Sequence, residues 1–223
     1  MVLLTSRRFA RATIWTCGFA LIMAVAACGS EPEPTDTGAQ TTGSVPEPAF
    51  PVTIEAANGE LTIETQPERI VSLSATATEM LFAIEAGDQV VAVDDQSNYP
   101  AEAPMTELSG FEVNIEAIAG YEPDLVVYSN DPGGFQKSLD KLGIPALMEP
   151  AAVTLDDTYA QIEQLGVATG HPAEASDVVA EMRSEIDEIT GSSPQFDTPP
   201  DYYHELDTNY FTVTSKTFIG DPS

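Results

Sequence analysis

Short apolar runs that alternate with helical stretches constrain this chain more than any other feature. Ile70–Leu73, Val90–Val93, Asp124–Tyr128 and Pro145–Met148 each read as a buried strand. Between them, Thr76–Ala86 predicts a helix with Met80, Leu81 and Ile84 on one face, closed at Gly87. Asn114–Ala119 predicts a short helix, and Phe135–Leu142 another that stops at Gly143. Strands that alternate with helices run mainly parallel, and their sheet is covered on both faces. The fold class is therefore α/β. Two longer helices follow, Leu155–Thr169 and Ala173–Thr190, the second with Pro172 near its first turn. Ahead of the alternation, residues 52–57 and 60–65 flank Asn58-Gly59, a pair that suits a type I′ turn and predicts a hairpin. After the helix-breaking stretch 191–200, Tyr202–Leu206 and Tyr210–Thr214 read as strands that open a further α/β unit.

Residues 1–28 read as an export signal. Arg7, Arg8 and Arg11 form a positive start, and Ala12–Ala27 is apolar but shorter than the roughly 20 residues of a membrane-spanning helix. It ends in Val25-Ala26-Ala27-Cys28, a match to the bacterial lipobox that makes Cys28 the expected acylation site. Residues 29–50 are rich in Pro, Gly, Thr, Glu and Ser and predict a flexible tether. The expected location is the outer face of the cytoplasmic membrane, held by a lipid. Across the chain, 36 acidic residues face 8 basic ones, for a net charge of −28. Such a surface repels nucleic acid, whose binding depends on Lys and Arg neutralising phosphates. Both cysteines, Cys17 and Cys28, lie in the leader, so the body has no disulfide and no thiolate.

From Arg69 to Gly220 the chain resembles the ABC-transporter solute-binding lipoproteins of the ferric siderophore and vitamin B12 family. The resemblance is carried, in family order, by Arg69–Ala86 (RIVSLSATATEMLFAIEA), with Ala75–Glu79 at the family's Ser-x-x-Thr-Glu turn, and by Gly87–Val93 (GDQVVAV). It continues through Asn98-Tyr99-Pro100, Asn114–Ile118 (NIEAI), Glu122–Val127 (EPDLVV), Leu142–Pro145 (LGIP), Tyr203–Asp207 (YHELD) and Thr217–Gly220 (TFIG). It implies two α/β lobes joined by a long helix, with ligand in the cleft between them. On that reading the N-terminal lobe spans 51–170, the joining helix 171–191, and 192–223 begins a second lobe. Family members run on well beyond this point, so the chain is expected to be C-terminally truncated and, with one wall of the cleft, to bind weakly.

The resemblance implies capture of an iron–siderophore chelate, or less readily a cobalamin or haem-type ligand, for delivery to an ABC permease and its ATPase. The protein would act as a monomer with no cofactor of its own. The alternative from another class is a non-transporting surface lipoprotein or a non-functional remnant. Glu116 aligns with the family's first-lobe docking glutamate, which meets arginines on the permease. The cleft should be lined by loops that follow strand ends, as in open α/β sheets generally. That nominates Thr76, Gln96, Tyr99, Phe111, Ser129 and Phe135, and Tyr203 from the second lobe. Gln96 and Ser129 stand where the B12 binder carries aromatics, which favours iron chelates. Two histidines in separate segments, His171 and His204, cannot assemble a zinc or manganese site, so iron should arrive inside its chelator. Adjacent acids such as Asp94-Asp95 point in different directions, and no nucleophile elbow, P-loop or dinucleotide fingerprint accompanies them, so no enzyme is expected.

Overall fold

In a strand buried on both sides, successive residues enter different cores, and the sequence has the continuous apolar runs this requires. The computed structural model describes residues 49–194, 203–205, 208–209, 211–214 and 217–220. Its strands are β1 (Val52–Ala56), β2 (Gly59–Ile63), β3 (Ile70–Leu73), β4 (Val90–Asp94), β5 (Met105–Leu108), β6 (Leu125–Tyr128) and β7 (Ala146–Met148). β1 and β2 form an antiparallel hairpin, and the other five make one sheet in the order β5-β4-β3-β6-β7, parallel throughout. Every residue of β3 and β6 is buried. Ile70, Leu125 and Val127 enter one core, while Val71, Val126 and Tyr128 enter the other.

The helices are α1 (Ala75–Ala83), α2 (Ile115–Ala119), α3 (Phe135–Leu142), α4 (Leu155–Thr169) and α5 (Pro172–Ser192). The first core takes Met80 and Leu81 of α1, Tyr159, Ile162 and Leu165 of α4, and Ala175 and Val179 of α5, with Ile54 and Ile63 of the hairpin. The second takes Ile118 of α2 and Phe135 and Leu139 of α3. Three of these helix starts are capped by side chains. The Ser74 side chain accepts from Ala77 N, Asn114 from Glu116 N and Ala117 N, and Thr154 and Asp157 close a reciprocal capping box. α4 and α5 approach closely at Gly166, where a Cβ would lie 2.4 Å from Ala175 Cβ and 2.9 Å from the His171 carbonyl oxygen. Arg183 of α5 ties the pair from outside, 3.0 Å from Asp156 Oδ1 and over the Tyr159 ring at 4.0 Å.

The α/β expectation holds, with differences of detail. The hairpin forms, but its turn residues are Ala57 and Asn58, and Gly59 alone there has positive φ, at 114°. A type I′ turn needs positive φ at both central positions, so that expectation is corrected. Asn58 has a different task. Its Nδ2 donates to Gln136 Oε1 (3.0 Å) and to the Ala146 carbonyl (2.9 Å), and its Oδ1 accepts from Met148 N (3.2 Å). The side chain thereby satisfies groups on the open edge of β7, which none of the described strands covers. The helix expected to reach Ala86 ends at Ala83. β5 was not expected. It is a short edge strand of alternating exposure with Thr106 and Glu107 in it, which reads as loop in sequence. Of the two strands expected near 202–214, the described residues form only an isolated antiparallel bridge, Glu205 to Thr212.

Candidate functional site

Five parallel strands bring their carboxyl ends to one edge, and the loops leaving that edge are the natural place for a ligand. A cavity of about 640 Å³ opens there, between the ends of β3, β6 and β7 and the first turns of α4. Ser74 and Thr76 come from the turn into α1, Ser129 and Asn130 from the end of β6, and Gln161 from α4. Met80 supplies an apolar floor, and Ile219 reaches the cavity from the described part of the tail. The volume lies in the range of small-molecule sites.

The walls are held by hydrogen bonds. Beneath Ser74, Thr78 Oγ1 lies 2.9 Å from Ser72 Oγ and 3.0 Å from Ser97 Oγ, and Ser97 donates to Asp94 Oδ1 at 2.6 Å. All four residues are buried, so a satisfied polar network locks the end of β3 to the end of β4. Gln161 Nε2 donates to the Pro150 carbonyl at 2.6 Å and fixes the segment that follows β7.

Glu149 is the exception to this satisfaction. Its backbone N–H continues the sheet ladder to the Tyr128 carbonyl at 2.8 Å. The residue, 5% exposed, lines the cavity, and its Oε1 has no hydrogen-bond partner among the described residues. Burial pushes its pKa up to about 8. Among the described residues lining the cavity it is the only ionisable one.

Of the residues expected in the cleft, Thr76 and Ser129 line this cavity. Tyr99 and Phe111 stand 65% and 71% exposed on the loops that follow β4 and β5, along the same sheet edge but outside the lining. Gln96 is exposed on the loop with Tyr99, its Nε2 3.2 Å from Asp95 Oδ1. Phe135 is placed differently from the expectation. Its ring is buried and meets Tyr128 edge-on, with centroids 5.3 Å apart, so it serves the second core. Tyr203 is exposed and does not line the cavity. Glu116 is exposed in the first turn of α2, and Cys28 lies outside the described residues. Asn130 belongs to the loop Ser129–Phe135 that the strand-end rule nominates, whereas Glu149 and Gln161 were not nominated from sequence. Glu149 directly follows a predicted strand, so the strand-end rule that selected the other loops would have reached it.

A family model described as periplasmic binding protein matches residues 70–221. An uncharacterized ABC transporter substrate-binding lipoprotein of Bacillus subtilis is 30% identical over 95% of this chain, which covers 69% of that relative. A cobalamin-binding protein of Halobacterium salinarum is 33% identical over 77% of the chain, which spans only 48% of the relative's length. Among solved structures, a possible iron-binding periplasmic solute-binding protein of Staphylococcus epidermidis superposes with a TM-score of 0.61 at 24% identity, over 70% of this chain and 63% of that one. The ABC-type Fe3+-hydroxamate transport system structure from Saccharomonospora viridis gives 0.54 at 26% identity, over 65% of this chain and 57% of that one.

Proposed function

The chain belongs to the periplasmic binding protein family, and on that footing we propose that it is the extracytoplasmic solute-binding component of an ABC importer that captures an iron–siderophore chelate. The observation that carries this reading is the cavity at the carboxyl ends of β3, β6 and β7, built from the first lobe's strand-end loops. Its lining offers small polar groups and an apolar floor, which suits an organic chelator better than a bare ion. No group of three or more His, Cys, Asp or Glu among the described residues is placed to hold a metal. The family consists of solute-binding proteins, and the chain is read as one of them rather than as an enzyme.

The hydroxamate-system structure, 26% identical, supports iron chelates as the ligand class. Cobalamin is the second reading, favoured by the names of the Halobacterium relative and of a vitamin B12-binding protein of Pectobacterium atrosepticum that is 35% identical over 55% of the chain. Against it, no aromatic side chain stands among the described residues lining the cavity, so none of these covers a macrocycle face. Nothing favours the remnant alternative. Acylation at Cys28 would hold the protein on the outer face of the membrane. Glu116, exposed at a helix start, would meet cations of the permease.

Calorimetric titration of the full chain with ferrichrome, a neutral ferric hydroxamate, and with cyanocobalamin tests the reading. Saturable binding of ferrichrome, about tenfold or more tighter than that of cobalamin, is expected. The reverse order would make the protein a cobalamin receptor, and no binding of either at millimolar ligand would overturn the reading.

A further inference from the structure

A buried carboxylate oxygen without a partner is costly, and native folds keep one only where something else requires it. The fold does not require the carboxylate of Glu149. The residue's contribution to the sheet is its backbone N–H, which any residue but proline would supply. The residue is more than nine-tenths buried, Oε1 meets no donor among the described residues, and the group stands in the cavity wall.

The described cations lie elsewhere and are engaged or remote. Arg69 donates to the Tyr121 and Glu122 carbonyls, and Arg183 is held by Asp156 and Tyr159. Lys137 and Lys141 are on α3, against the other face of the sheet. Among the described residues the wall therefore offers one carboxyl group and no positive charge to whatever enters.

We propose that Glu149 contacts the ligand and selects chelates that present a hydrogen-bond donor, above all a cationic nitrogen, to this wall, while polyanionic chelates are turned away. This rests on the reading of the cavity as a chelate site. An ammonium or amide N–H supplies the donor that Oε1 lacks, and a charged donor gives the stronger bond of the two. Among the described residues a polyanion finds no base there to balance it, and its charge further opposes ionisation of a carboxyl that burial already holds protonated near neutral pH. The raised pKa fits this picture, because a cation that enters stabilises the ionised carboxylate that burial disfavours. The acidic chain as a whole, at −28, adds a field of the same sign.

The test is a charge series at constant ionic strength. The full chain is titrated calorimetrically with ferrioxamine B (cationic), ferrichrome (neutral) and ferric enterobactin (a trianionic catecholate), each up to millimolar concentration. The expected order places the cationic chelate first and the trianionic one last, about tenfold or more weaker. In Glu149→Gln, close to isosteric, the preference for ferrioxamine B over ferrichrome should fall about fivefold, with a thermal melt reporting that the variant is folded. Enterobactin bound as tightly as ferrioxamine B by the native chain, or an unchanged preference in folded Glu149→Gln, would overturn the inference and leave the chelate reading standing. Absence of binding by all three would overturn both.

Discussion

Glu149 sets a stability cost against a binding role, and the cost can be measured without any ligand. Its folded pKa of about 8 stands above the ordinary carboxylate value of 4.5. Between those two values the folded chain keeps a proton that the unfolded chain has released. Stability should therefore fall as pH rises through this window, by up to about 1.4 kcal/mol per pH unit, and be flat in this respect below and above it. Denaturant unfolding from pH 5 to pH 8 should show Glu149→Gln gaining on the native chain as pH rises; parallel profiles would contradict the assignment. At this scale the sequence is legible where a general rule applies. Thr76 and Ser129 were reached because loops after parallel strands line clefts. Phe135 satisfied the same rule and yet turned inward, because its neighbour Tyr128 offers a ring to pack on. Chain position names the loop, and only packing decides which way a side chain faces.

Among the elements, the hairpin shows a correct expectation with a different cause. Asn58-Gly59 marks the turn, but Asn58 is held by its contacts with Gln136, Ala146 and Met148 and not by a positive φ. Those partners lie far along the chain, so no local pattern could show them. Asn58→Ala should leave the β7 edge groups short of partners and cost about 1–3 kcal/mol, as part-buried hydrogen bonds do. Urea unfolding checks this, and a change within error would mean that solvent replaces the bonds at no cost. The two central strands and the long helices were readable because burial on both faces, or a stripe of apolar residues at helical spacing, leaves a strong trace. β5 left none, since an edge strand with two polar residues looks like loop.

At the scale of the whole molecule, the parallel sheet explains the site. Every strand delivers its end to the same edge, and a polar network fixes two of those ends in place. The cavity then needs only small side chains and one unsatisfied carboxylate to become selective. The architecture was legible because alternating strands and helices admit few arrangements. The ligand was not, because a cleft wall is assembled from separate loops. Ligand is proposed to sit at the carboxyl ends of β3, β6 and β7. Amide hydrogen exchange of the full chain, with and without saturating ferrioxamine B, tests this placement directly. Slowed exchange is expected in the segments 73–77, 128–130 and 149–152, with little change in the hairpin 52–63. Slowed exchange confined to the hairpin or to α5, with those three segments unchanged, would contradict the placement.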